Sequence, residues 1–128
     1  METRTHTPTA GVYPATDDYA HAIEVRDPSR FLFVAGTMGL AEDGTPGTTL
    51  TEQLTLIWQN LRAILAAADM TVDNIVRLTS YLRDPAYADE NARARTEALG
   101  GRRIPTTAIV AQTLTEDWLV EIEIVAAA

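Results

Sequence analysis

Residues 51–70, TEQLTLIWQNLRAILAAADM, place Leu54, Ile57, Trp58, Leu61 and Leu65 at the three- and four-residue spacing of one helix face. That stripe runs for roughly 17 Å and must lie on an apolar surface of similar length. The chain supplies the surface as strands. DNIVRLTSYL, residues 73–82, alternates Val76, Leu78, Ser80 and Leu82 against Arg77, Thr79 and Tyr81. WLVEIEIVA, residues 118–126, sets Trp118, Val120, Ile122 and Ile124 on one face and Leu119, Glu121, Glu123 and Val125 on the other. A helix with one apolar stripe and strands with one apolar face solve each other's burial problem by stacking.

The remaining elements follow from punctuation. YAHAIEV (19–25) and RFLFVAG (30–36) have strand composition, and RDPS between them reads as a turn, so a hairpin is expected. AEDGTPGTT (41–49) is a loop, with Thr49 or Thr51 available to cap the helix that follows. A second helix is expected from Asp84 to Leu99, opened by Asp84 and Pro85 and stopped by Gly100 and Gly101. TTAIVAQ (106–112) adds another strand. The expected order is β-β-α-β-α-β-β, an α+β two-layer sandwich with both helices on one face of a mixed sheet. Residues 1–18, rich in threonine and proline, are expected to form a mobile or loosely docked arm, and residues 19–128 a single domain. Val34, Ile109, Val120 and Ile122 leave apolar character on more than one side of the sheet, which calls for self-association.

Composition narrows the chemistry. Ten basic residues against 18 acidic give a net charge of −8, which disfavours nucleic acid and anionic lipid as partners. There is no cysteine, so thiolate catalysis, disulfides and sulfur-based zinc sites are excluded. Every basic residue is an arginine, which removes Schiff-base and phosphate-loop lysines. No apolar run is long enough to cross a bilayer and METRTHTPTAG lacks a signal-peptide core, so a cytoplasmic protein is expected.

Few residues are left to carry chemistry. Glu121 and Glu123 stack on one strand face and could supply an acid or base in a closed cleft; the plainer reading is a solvated strand face. His21 could serve as a base or as a structural histidine. Gly36 and Gly39 in AGTMG lack the spacing of a phosphate loop and fit close backbone packing or a bulge. Two histidines and no cysteine give no metal site, and no Ser-His-Asp set or cofactor motif is present.

YAHAIEV, RFLFVAGTMGL, EQLTLIWQNLRAILAAA, DNIVRLTSYLRD, Asn91, RRIPTTAIV and VEIEIVA occur in that order, and with them the chain resembles the Rid family of reactive intermediate deaminases, also called YjgF-like or L-PSP proteins, over about residues 19 to 126. The resemblance implies a chorismate-mutase-like fold, a homotrimer with inward-facing sheets, and clefts between neighbouring subunits. It also implies chemistry on imines or enamines without a cofactor. A glutamate on the last strand acts through water, and an arginine after Pro-Ala holds the substrate carboxylate. Carried over, these roles give Glu121 as the catalytic group and Tyr19, Gly36 and Asn91 among the substrate-binding residues, with Ala35 where many members have serine. The arginine position falls on Thr107, within Pro105-Thr106-Thr107-Ala108.

A guanidinium offers a carboxylate two charge-assisted hydrogen bonds, whereas threonine offers one neutral hydroxyl. Ordinary 2-imino acid deamination is therefore expected to be weak. Arg102 and Arg103 lie nearby in sequence but are expected to face solvent or surface carboxylates, leaving a cleft that keeps its carboxyl and lacks its positive anchor. The expected function is a Rid-like small-molecule enzyme working by hydrolysis, tautomerisation or water elimination, with Glu121 central and Tyr19, His21, Asn91 and Thr107 orienting the substrate. The alternative is a noncatalytic trimer that binds a metabolite or partner. Tyr13 and Pro14 place an aromatic group where the arm could fold over the cleft.

Overall fold

The structure is a computed structural model and describes residues 1–128. Its main elements are β1 (Glu2–His6), β2 (Ala22–Arg26), β3 (Phe31–Met38), α1 (Leu50–Ala67), β4 (Ile75–Leu82), α2 (Ala88–Ala98), β5 (Thr106–Val110) and β6 (Val120–Ala127). Four strands form the principal sheet in the order β3-β6-β4-β5. β6 runs antiparallel to both of its neighbours, while β4 and β5 are parallel. This is the mixed sheet of an α+β fold.

α1 lies on the sheet as its periodicity requires. Leu54, Ile57, Trp58, Leu61 and Leu65 are all buried, and they meet Ile75, Leu78 and Leu82 of β4 and Val120, Ile122 and Ile124 of β6 in one core. Each fully buried aliphatic side chain contributes about 1.5–3 kcal/mol by leaving water, so this two-layer contact dominates the stability of the domain. Thr49, rather than Thr51, is the helix cap: its side chain accepts from the Glu52 backbone N–H at 3.1 Å. Gln53 secures the same end. Its buried amide donates to the Gly47 and Asp117 carbonyls and accepts from the Leu119 N–H, tying α1 to the loop before β6.

Several expectations need correction. The expected arm contains a strand: Glu2–His6 pairs antiparallel with Ala22–Arg26, Glu2 opposite Arg26 and His6 opposite Ala22. It is anchored through Asp18, whose carboxylate takes an Arg95 hydrogen bond at 2.5 Å, and through Asp17, which pairs with Arg103 at 2.9 Å. The hairpin across RDPS does not form. β2 pairs with β1 in a separate two-stranded sheet, whereas β3 pairs with β6. The physical reason is that β6 offers β3 an apolar, fully buried partner face, which β2 does not. The second helix begins later than expected: Asp84 caps a 3-10 turn at Pro85–Tyr87, and α2 proper starts at Ala88. Asp73 and Asn74 belong to another 3-10 turn rather than to β4.

The helices cover one sheet face, and the other stays open. Phe33 is 75% exposed there and Phe31 51%. An open face with large aromatic groups is the surface on which any site built from the outward residues must lie.

Candidate functional site

Strand register fixes the layout of the open face. Glu121 of β6 stands opposite Tyr81 of β4, Glu123 opposite Thr79, and Val125 opposite Arg77; on the far side Thr79 stands opposite Thr107 of β5. Alternation along each strand brings Glu121, Glu123, Arg77, Thr79, Tyr81 and Thr107 to one side.

Glu121 is half-buried, and its carboxylate rests on the backbone of β3. A Cβ placed on Gly36 would lie 2.5 Å from Glu121 Oε2. Gly36 falls in the irregular part of the β3–β6 ladder between Val34 and Thr37, so strand irregularity and the missing side chain together make room for the acid. Gly39 answers to a different pressure, since a Cβ there would stand 2.5 Å from the Cα of Gln53.

Glu123 turns the other way. Tyr81 donates its phenolic hydrogen to Glu123 Oε1 at 2.5 Å, and the carboxylate beside it raises the pKa of the phenol above its ordinary value. On the far side of Thr79, Arg77 extends towards β5 and its Nη2 lies 3.5 Å from Thr107 Oγ1. A guanidinium therefore does stand beside Thr107, which corrects the expectation of a face without a positive group at that point. Sequence alternation put Arg77 on this face, but only the parallel β4–β5 register brings it to Thr107.

The two arginines considered from sequence are both spent elsewhere. Arg102 is partly buried, and its Nη2 donates to the Val72 and Ile75 carbonyls at 2.8 Å each; burial lowers its pKa. It is a structural clasp rather than a solvent-facing group. Arg103 pairs with Asp17 at the surface, as expected.

The other candidate residues are only partly brought together. Gly36 and Glu121 touch. Thr107 shares their face, but strand spacing and rise put its Cα roughly 12 Å from that of Glu121. Tyr19 and His21 flank Ala20, whose N–H donates to the Ile104 carbonyl at 3.1 Å, so they lie near the entrance to β5. His21 Nε2 lies 2.8 Å from the Tyr13 carbonyl, which can only accept, so that nitrogen carries the proton. The ring sits edge-on to both Tyr13 and Tyr19. Asn91 is 1% exposed within α2, on the helix side of the sheet, and its Oδ1 lacks a hydrogen-bond partner. No group of three or more histidine, aspartate or glutamate side chains is arranged to hold a metal ion.

The endoribonuclease L-PSP family model matches residues 11–128. The chain belongs to this family, the Rid or YjgF-like proteins. The RutC family protein YjgH of Escherichia coli (strain K12) is 35% identical over 109 residues, which cover 84% of this chain and 81% of that protein. Among solved structures, the Rid family protein YyfB from Yersinia pestis, described as of unknown function, superposes with a TM-score of 0.85 at 28% identity over the whole of both chains. The structure of protein YJGH matches with a TM-score of 0.67 at 36% identity, covering 85% of this chain and 82% of the other. Family membership therefore extends the resemblance read from the short strings into the region before Tyr19.

Proposed function

We propose that this family member is a small-molecule enzyme that hydrolyses or tautomerises an imine, enamine or carbonyl compound, with Glu121 moving the proton through water. The observation that carries the reading is the seat of Glu121: a carboxylate laid against Gly36 on a sheet face otherwise open beside exposed Phe33. A single positioned carboxyl in a cleft that a neighbouring copy closes is sufficient for general acid–base chemistry. In this reading the chain assembles as a homotrimer through the open face. Phe31 and Phe33 become interface contacts, and Tyr19, His21 and Thr107 orient the substrate at the cleft rim. Asn91 contributes by positioning α2.

The residue at position 107 argues against ordinary 2-imino acids as substrates. By the resemblance it stands where an arginine holds the substrate carboxylate, and a threonine offers one neutral hydroxyl in place of two charge-assisted hydrogen bonds. RNA cleavage has less support: the net charge of −8 and two carboxylates on the open face oppose a phosphate backbone.

The test is turnover across a panel of imines, enamines and their carbonyl products, with Glu121→Gln beside the parent. Loss of at least a hundredfold in kcat with an unchanged unfolding transition is expected, and an unaltered rate removes Glu121 from the mechanism. On 2-aminoacrylate and 2-iminobutanoate the parent should be slow and Thr107→Arg faster.

A further inference from the structure

Two carboxylates, Glu121 and Glu123, stand over β6 on the open face, and no cation stands between them. β3, β5 and β6 contribute no basic residue, and the one arginine of β4, Arg77, extends towards Thr107 of β5. Tyr81 of β4 is the register partner of Glu121, a pairing in which the two Cβ atoms start about 5 Å apart. Its hydroxyl nevertheless reaches along the strand to Glu123 Oε1 at 2.5 Å, while Glu121 leans the other way onto Gly36 of β3. The hydrogen bond to Glu123, with the nearby charges of both carboxylates, raises the pKa of the phenol, so it keeps its proton at neutral pH and points it at Glu123. Two lone pairs remain on the phenolic oxygen, and no protein donor reaches them. A short O–H···O⁻ bond polarises its donor oxygen, which makes that oxygen a better acceptor for a third group.

We infer that Tyr81 is a substrate-binding residue: its oxygen accepts a hydrogen bond from the N–H of a protonated imine lying over β6, and the two carboxylates select this cation over an imino acid. The inference rests on the acid–base role proposed for Glu121 and names the substrate class of that site. Neighbouring strands stand about 4.8 Å from β6, so Glu121 folded onto β3 and Tyr81 on β4 bound a trough roughly 10 Å wide, room for a small ring. The chemistry points to the same class. With the Tyr81 proton committed to Glu123, this flank offers the imine nitrogen no acid. An imine that arrives protonated needs none: water adds to the carbon, the C=N π pair moves to nitrogen, and the proton released by the water passes to Glu121. The product of that step is a neutral carbinolamine. The same two charges that attract the cation repel an incoming carboxylate.

The experiment is calorimetric titration of the full chain at low ionic strength and neutral pH with three probes. These are pyrrolidine, which is protonated there, tetrahydrofuran, a similar ring without charge or N–H, and propanoate. Pyrrolidinium should bind saturably and at least tenfold more tightly than either of the others. Tyr81→Phe removes only the oxygen and should weaken pyrrolidinium at least tenfold, the factor lost with one hydrogen bond to a charged group, while the unfolding transition stays in place. Glu123→Gln should weaken it by at least as much. Amide spectra of the unmodified protein provide a check that needs no variant: added pyrrolidinium should shift Tyr81 and Gly36. Absence of saturable pyrrolidinium binding below about 10 mM overturns the inference. So does equal or tighter binding of tetrahydrofuran or propanoate, affinity retained in Tyr81→Phe or Glu123→Gln, or shifts that spare Tyr81. None of these results touches the proton-transfer reading, which turnover in Glu121→Gln decides separately.

Discussion

Adding one methyl group should barely change stability at one glycine and cost much of it at another. At Gly36 the new Cβ meets Glu121 Oε2 at 2.5 Å and Cδ at 2.8 Å, both at the free end of a flexible side chain. Relief requires the carboxylate to move by about 1 Å, to the 3.4 Å at which ordinary contact begins. An off-rotamer glutamate costs about 0.5–1.5 kcal/mol. The loss of backbone freedom in the unfolded chain returns about 0.4–1 kcal/mol, so Gly36→Ala should be nearly neutral in stability. At Gly39 the Cβ meets Gln53 Cα at 2.5 Å and its carbonyl oxygen at 2.6 Å, both backbone atoms of α1. Here the helix itself must retreat, straining the three hydrogen bonds of the Gln53 amide to Gly47, Asp117 and Leu119. Overpacking and a broken buried bond cost about 1–3 kcal/mol each, so Gly39→Ala should lose about 2–6 kcal/mol, equivalent to a fall in Tm of about 6 °C or more. Urea unfolding followed by tryptophan fluorescence separates the two. Turnover should fall about a hundredfold in Gly36→Ala, because a carboxyl displaced by about 1 Å is out of position for proton transfer. Equal destabilisation by both substitutions would refute the steric reasoning. Full activity in Gly36→Ala would refute the role given to the seat of Glu121.

Two further outcomes follow from charge. Tyr81 should ionise above the ordinary tyrosine value in a spectroscopic pH titration, and Glu123→Gln should return it towards that value, because the hydrogen bond to Glu123 is the main cause of the rise. With its folded pKa raised, the stability this contact contributes is complete below the unfolded value near 10 and fades as pH climbs through the folded one. Asp18 is shifted in the opposite sense, held below 3.8 by the Thr16 hydroxyl and by Arg95, so its contribution is present at neutral pH and disappears as pH falls through the lowered value. Asp18→Asn should cost about 1–2 kcal/mol at pH 7, discounted because the aspartate side chain is 38% exposed, and the gap to the parent should close in acid unfolding curves.

What the sequence made legible was whatever short-range periodicity encodes. The α1 stripe, the outward set Arg77, Thr79 and Tyr81, and the placing of Glu121 away from the core all follow from counting residues along one element; strand register agrees with each, and burial with all but Thr79, which is buried although it lies on the outward side. β1 was hidden because ETRTH is exposed on both faces and so has no apolar alternation to betray it. The false hairpin arose because turn chemistry at RDPS is local, whereas the choice of β6 as partner for β3 is made across nearly the whole chain. For the same reason Arg77 and Thr107, 30 positions apart, could be read as neighbours only once the parallel register of β4 and β5 was known. The seat of Glu121 lay halfway between. Gly36 stood out as a glycine with a packing reason, but what it packs against is a residue 85 positions later.

β6 lies between β3 and β4 although it comes after both in the chain. During synthesis, a nascent polypeptide that has left the ribosome only as far as β5 carries two apolar strands with an empty lane between them, and no cooperative sheet can close. The domain must therefore snap shut late, when β6 threads that lane and zips to both sides at once.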